Sequence, residues 1–234
     1  MQTTLKVTLL AHTPDADKLV AAAAKLCYAK SDVDTLLDNL TAEKVEEFIE
    51  RLAELGHESP IEHASYTFAV EGVSRALLAQ LTRHRLASYS VQSQRYVDKL
   101  DFDYIMPPSV AANPETAEMF EKCMAMLDTY YSYFTAADIP NEDARFVLPN
   151  ACDTRIIFTM NARSLHNFFR LRCCNRAQWE IRAMADEMLK LCREVSPALF
   201  KHAGPSCAVS GVCSEGAMCC GEPRCKADND NGEN

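Results

Sequence analysis

Glycine is scarce in this chain where a nucleotide fold would need it: only Gly56 and Gly72 precede residue 204 of 234. Neither a Gly-x-Gly-x-x-Gly turn nor a Walker loop can be written with them, so any dinucleotide bound here is not held in the Rossmann or P-loop manner. Long apolar runs are missing as well. No stretch approaches the roughly eighteen residues of a membrane span, and the short patch Val7–Ala11 gives way to Asp15 and Asp17 without a small-residue cleavage site. The expected setting is cytoplasmic, with no membrane partner. A formal net charge of -9 leaves no broad basic face, which argues against nucleic acid as a partner. Within this acidic chain one segment lacks acid altogether, because no carboxylate occurs between Gly72 and Val97.

That segment holds the densest polar stretch, Arg83 to Tyr96, with three guanidiniums, one imidazole, three serine hydroxyls and two amides in fourteen residues. A local positive field in an acidic chain selects an anionic partner. Arginine forks meet two phosphate oxygens at once, and nearby hydroxyls and amides would fix orientation, which points to a nucleotide more than a bare anion. A solvated arginine cluster is the alternative that charge alone leaves open. A second cationic patch runs from Arg155 to Arg182, with six arginines against the single acid Glu180. Eleven cysteines in a chain without a signal peptide read as reduced thiols or ligands. A chain of this length buries about 70% of its unfolded surface without needing disulfides or metal.

The periodicities predict an α+β fold. Gln2–Ala11 alternates as a first strand with Leu5, Val7 and Leu9 on one face, and a helix over Leu19–Tyr28 follows, capped by Asp15 or Asp17. Thr41 opens a helix with Val45, Phe48, Ile49, Leu52 and Leu55 on one side, and Gly56 ends it. His57, Glu58, Glu62 and His63 could suit a metal, but Pro60 breaks the helical spacing that two ligands would need. Ser65–Val70 reads as a strand, Val73–Leu81 as a helix and the arginine stretch as a loop. Asn113-Pro114 opens a long helix, Glu115–Ala136, whose apolar face suits core or a subunit contact better than an aromatic cofactor cage. Short helix over Asn141–Val147, strand over Arg155–Thr159, helix over Ala162–Leu171 and helix over Arg176–Glu194 complete the reading. On the third of these, Leu165, Phe168 and Phe169 face inward, and Arg163, Asn167 and Arg170 face out.

Four motifs together resemble the flavin-dependent thymidylate synthases, the thymidylate synthase-complementing protein family. They are Arg83-His84-Arg85 with Ser93-Gln94-Arg95-Tyr96, His57-Glu58-Ser59-Pro60 with Glu62-His63, Ala144-Arg145-Phe146-Val147-Leu148-Pro149, and Asn161-Ala162-Arg163-Ser164-Leu165 through Ala177-Gln178-Trp179-Glu180. The resemblance covers residues 1–203 as one domain with a mixed, largely antiparallel sheet flanked by long helices. It leaves 204–234 as a Cys-rich polar tail.

The resemblance implies reductive methylation of dUMP to dTMP, with 5,10-methylenetetrahydrofolate as carbon donor, NADPH as reductant and FAD as hydride carrier. It further implies a homotetramer with active sites at subunit junctions, which would account for two cationic patches on one chain. Carried over position by position, Arg83, His84 and Arg85 face FAD together with Ser59, Asn161, Arg163 and Asn167, and His57 lies near the flavin ring. Gln80, Arg83, Gln92, Ser93, Gln94, Arg95 and Arg145 hold the nucleotide, with Ser93 and Arg95 on its phosphate. Arg172 lies along the uracil edge, where a fixed cation stabilises charge developing as C5 becomes nucleophilic, and is the expected catalytic residue. Cys173 and Cys174 beside it are expected to pack rather than attack.

Two positions depart from the family pattern. Val91 replaces a polar or acidic residue, so only its backbone can serve cofactor and nucleotide. Arg176 replaces a histidine near the flavin. In the tail, Cys207, Cys213, Cys219, Cys220 and Cys225 leave three readings open: a disordered reduced tail, a structural zinc site recruiting Cys173 or Cys174, and disulfides. The residues from Ala227 onward read as unstructured. A non-catalytic nucleotide- or flavin-binding regulator is the rival function, since anion sites alone do not make chemistry.

Overall fold

The computed structural model of the chain describes residues 2–222. Strand β1 (Lys6–His12) keeps the expected alternation, with Leu5, Val7 and Leu9 half-buried and Lys6 and Thr8 exposed. It begins later than the sequence suggested because Gln2 pairs as an isolated parallel bridge with Tyr104. Helix α1 (Ala16–Leu26) follows, and neither expected aspartate caps it with its side chain. Asp15 takes a left-handed φ of 46° and makes no capping bond. Asp17 instead accepts the N–H groups of Ala198 (3.1 Å) and Leu199 (3.2 Å), just past Ser196. Burial raises its pKa even though those two bonds oppose the shift.

Helix α2 (Val33–Asp38) has no counterpart in the sequence reading; Asp32 Oδ1 opens it by accepting the Thr35 N–H at 2.9 Å. Helix α3 (Ala42–Leu55) is the helix read from its ladder, burying Val45, Ile49 and Leu52 and ending at Gly56 with φ 67°. A 3₁₀ turn, Pro60–His63, leads into strand β2 (Ser65–Ser74). The strand extends into what the sequence offered as helix, and Gly72 is the reason. At φ 67° its Cα lies against Thr4, so that a Cβ would fall 1.9 Å from the Thr4 carbonyl oxygen. Ser74 then starts helix α4 (Arg75–Leu81), its Oγ accepting the Leu77 N–H at 3.2 Å.

Part of the arginine stretch is not loop: Ser88–Val91 forms a short strand, β3. Next come helices α5 (Pro108–Ala111), α6 (Pro114–Ala136) and α7 (Asn141–Ala144), a 3₁₀ turn Arg145–Val147, and strand β4 (Asp153–Asn161). Helices α8 (Ala162–Arg172), α9 (Trp179–Val195), α10 (Pro197–Phe200) and α11 (Ser206–Ser210) follow. Helix α9 starts later than Arg176 because Gln178 Oε1 collects the N–H groups of Glu180 and Ile181, fixing the cap there.

The four strands form one sheet in the order β1-β2-β4-β3. Register shows each pairing to be antiparallel. The Thr13 N–H meets Ser65 O while Thr4 meets Gly72; Ala162 N–H meets Ala64 O while Arg75 N–H meets Cys152 O; Gln92 N–H meets Arg155 O while Tyr89 faces Phe158. Helix and antiparallel sheet therefore combine as the α+β reading required.

The described residues divide into two compact units, one of residues 2–7, 69–83 and 89–158, the other of 8–68, 84–88 and 159–222. In the first, Phe102, Met124 and Cys152 form a cluster covered by Phe120, Leu127 and Leu148. Helix α6 buries Met124 and Tyr131 but leaves Met119, Met126, Tyr130 and Tyr133 exposed. In the second, Tyr66, Phe168, Phe169 and Phe200 are fully buried and meet edge to face at 5.2–6.0 Å. Tyr66 Oη donates to Ser196 Oγ at 2.7 Å, which satisfies a hydroxyl that burial would otherwise penalise.

Candidate active site

In the first unit, the edge strand β3 delivers the polar loop that follows it. Val91, half-buried, is the last residue of the strand. Gln92 is pinned by its N–H to Arg155 O at 2.9 Å, and its own carbonyl accepts Arg75 Nη1 at 3.5 Å. The Gln92 side-chain oxygen Oε1 is buried without a hydrogen-bond partner. Such an orphan acceptor costs about 1–3 kcal/mol and marks a place where a donor belongs. Ser93 Oγ accepts the Arg95 N–H at 3.2 Å, shaping the turn. Gln94 points inward, its Nε2 reaching Cys152 Sγ at 3.7 Å. The Arg95 guanidinium is clamped on Glu142 at 2.7 and 2.8 Å, and Arg145 Nε donates to the Glu142 carbonyl at 3.0 Å.

Arg75 belongs with this group and was missed in the sequence, although it lies inside the acid-free segment. Burial, and secondarily the charge of Arg145, lowers its pKa. Gln80, in the last turn of α4, is half-buried, and Arg83, two residues past the helix, is exposed.

The second unit gathers the other patch. Arg163, in the first turn of α8, donates through Nε to Glu58 at 3.0 Å and through Nη1 to Glu62 at 2.5 Å. The two glutamates that suggested a metal are thus engaged with an arginine, and His57, Ser59 and His63 beside them are exposed. Asn161 Oδ1 caps α8 at the Ser164 N–H (2.9 Å), while Ser164 Oγ is itself buried without a partner. Asn167 Oδ1 accepts Arg170 Nη2 at 3.0 Å, and Arg85 is exposed.

At the last turn of the same helix, half-buried Arg172 donates from Nε to His84 Nε2 at 3.0 Å. The His84 ring sits edge-on to Phe168 at 4.9 Å. Burial, joined by the charge of Arg172, pushes its pKa down to about 4. His84 is therefore a neutral imidazole whose Nε2 lone pair faces the guanidinium; that contact orients Arg172 without neutralising it.

Beyond Arg172, Cys173 is buried. Cys174 joins Arg170, Leu171, Arg172, Arg176, Ala177 and Glu215 around a pocket of about 240 Å³. Arg176 Nη1 donates to Met218 O at 2.7 Å and Asn175 Nδ2 to Glu222 O at 2.8 Å, so the tail through residue 222 is tied down, and Cys207 on α11 is buried. The described cysteines are free thiols, and no group of three or more His, Cys, Asp or Glu among the described residues is arranged to hold a metal. Cys225 and the run from Ala227 lie outside the described residues. No described helix is long and apolar enough to cross a membrane.

The family profile described as "Thymidylate synthase complementing protein" matches residues 8–198. A flavin-dependent thymidylate synthase of Clostridium tetani is 51% identical, covering 93% of this chain and 94% of the relative, and one of Geobacter sulfurreducens is 51% identical over the same shares. A third, from Nitratidesulfovibrio vulgaris, is 50% identical over 90% of this chain and 91% of its own. Among solved structures, the UMP/dUMP methylase PolB from Streptomyces cacaoi bound with 5-Br dUMP shares the fold at a TM-score of 0.78 and 23% identity, covering 86% of this chain and 94% of that one. With its four sequence motifs on the two polar patches just described, the chain belongs to the thymidylate synthase complementing family and is an enzyme of the flavin-dependent thymidylate synthase type.

Proposed function

We propose that the chain methylates C5 of dUMP to give dTMP, taking the carbon from 5,10-methylenetetrahydrofolate and the reducing equivalents from NADPH through FAD. The observation that carries this reading is Arg172, half-buried and oriented by a neutral imidazole. A guanidinium so held can meet negative charge developing on the pyrimidine, and it is already preorganised when the charge appears.

The residues suit the flavin on their chemistry. Arg163, Asn167 and Arg85 offer cationic and amide donors for a pyrophosphate, and Ser164, next to Arg163 in the chain, has an orphaned Oγ. His57, Ser59, Arg83, His84 and Asn161 complete the set expected to hold it. When bound, FAD supplies the hydride that converts the transferred methylene to methyl. The chain's own part is positional. Ser93 and Arg95 take the nucleotide phosphate, Arg95 exchanging Glu142 for it; Gln92 Oε1 accepts a donor from the nucleotide; Gln80, the Val91 backbone, Gln94 and Arg145 support that loop. Arg172 faces N3 and the adjacent carbonyl as C5 becomes nucleophilic. The two patches would be completed by neighbouring chains of a cytoplasmic homotetramer.

Purified enzyme should be yellow and turn over dUMP only when folate, NADPH and flavin are all present; turnover without flavin would overturn the reading. Arg172→Ala should lower kcat by about 100- to 1,000-fold, the scale of losing one preorganised charge-stabilising donor. Nucleotide affinity should fall much less. Equal losses would make Arg172 a binding residue.

A further inference from the structure

Past residue 198, where the family match ends, the chain returns to the turn that follows Arg172. The root of this tail is held by Arg193 of α9, which donates to Phe200 O at 3.2 Å and to Ala203 O at 2.9 Å. Helix α11 buries Cys207, and Ser206 closes the next bend, its Oγ accepting the Ser214 N–H at 2.9 Å. A 3₁₀ turn, Gly216–Met218, follows, and there the tail meets its two clasps. Arg176 Nη1 donates to Met218 O at 2.7 Å and Asn175 Nδ2 to Glu222 O at 2.8 Å. Both clasps lie in the link between α8, which ends at Arg172, and α9, which starts at Trp179. Resting on the role given to Arg172 above, we propose that Arg176 is a positioning residue for the reaction: it straps the tail onto this link, and the strapped tail completes the pocket that Arg172 lines.

The link has short-range ties of its own. The Ala177 N–H bonds to Cys174 O at 2.8 Å, and Arg182 Nη1 reaches Asn175 O at 2.9 Å. The two bonds to the tail are of another kind, since they reach 42 and 47 residues along the chain and join the link to a separate segment. The tail also contributes to the pocket itself. Glu215 lines the same space of about 240 Å³ as Arg170, Arg172 and Arg176, so one carboxylate residue shares it with three guanidinium residues that repel one another. With the tail docked this wall is protein; with the tail released it is water. A cation acts on developing charge more strongly when less water screens it, and a small displacement of a catalytic group costs rate steeply. Loss of the strap should therefore lower kcat while nucleotide affinity stays nearly the same. Arg176, one of the two departures from the family pattern, thus has a task in this chain, and its long side chain with several donors suits the reach to a backbone carbonyl.

The test uses the full chain carrying Arg176→Ala or Arg176→Lys, with Asn175→Ala as the variant of the second clasp. Hydrogen–deuterium exchange over residues 206–222 reads docking without any substrate, and steady-state turnover of dUMP reads the site. In Arg176→Ala the tail should exchange faster and kcat should fall about 10-fold, with KM for dUMP changed by less than about twofold and flavin content unchanged. Arg176→Lys, which keeps a donor, should recover most of both losses, and Asn175→Ala should move both in the same direction by less. Faster exchange of the tail with kcat unchanged would overturn the proposal. So would loss of flavin from Arg176→Ala, which would make Arg176 a cofactor contact, or tail exchange that the variant leaves unaltered. Absence of turnover in the unmodified enzyme would overturn the proposed function and with it the effect on Arg172, while the exchange data would still decide whether Arg176 clasps the tail.

Discussion

Two kinds of paired cation divide the molecule. Lys99 donates to Asp153 Oδ1 at 3.0 Å with both side chains about nine-tenths buried, 9% and 10% exposed. Arg163 meets Glu58 and Glu62 with its side chain 49% exposed, and Arg95 meets Glu142 at 51%. Contact distances are similar, but the solvent is not. The buried pair has surrendered its hydration and depends on its partner, whereas the exposed pairs are worth about 0–1 kcal/mol and exchange readily. Burial therefore separates charges that hold the fold from charges available to a ligand. Arg95 and Arg163 of the candidate site are of the second kind, resting on glutamates that an incoming phosphate can replace.

The sharpest way to break this comparison is Lys99→Met. Removing one partner strands Asp153 in the interior and should cost about 3–5 kcal/mol of stability, read as a lower denaturant midpoint. A loss below about 1 kcal/mol would put the buried pair in the same class as the exposed ones.

A smaller effect is expected from Glu58→Gln combined with Glu62→Gln. Stability should shift by no more than about 1 kcal/mol. Flavin should bind more tightly, by up to about fivefold, because Arg163 no longer has to leave two carboxylates. Weaker flavin binding would show instead that the glutamates position Arg163, and the site cation would then be structural.

Periodicity made the local elements legible. Helices α3, α6 and α8 follow from their apolar ladders, and β4 from its alternation, because those signals lie within a few turns of chain. What remained hidden depends on partners far apart in sequence. Asp17 reads as a cap for the helix beside it but serves the turn at Ala198. Lys99 and Asp153 carry no mark of each other across 54 residues. The acid-free segment is acid-free only along the chain, since Glu142 folds back onto Arg95. Residues 88–91 become strand rather than loop because β4 offers them an edge. At the site, charge alone pointed to Arg83–Arg95 and to the arginines after Arg155. The weight placed on Arg172 came from the family motifs, and its partner His84, 88 residues earlier, came only from the structure.

His84 sharpens the comparison from the opposite side, as a site cation's partner that carries no charge. Its folded pKa of about 4 lies below the ordinary histidine value of 6.5. Between those values the unfolded chain binds more protons than the folded one, so this group makes stability rise with pH across that window and fall on acidification. Above about pH 6.5 the group adds no further slope. His84→Gln, which keeps an acceptor for Arg172 Nε, should flatten that part of the profile, measured by denaturant titrations at a series of pH values. The change should be the smallest of the three, because a half-buried ring is partly screened by water. A profile unchanged in His84→Gln would mean that the imidazole titrates as it does in solution, charged below 6.5. Arg172 would then face a second cation in mild acid, and the neutral contact that orients it would be lost there.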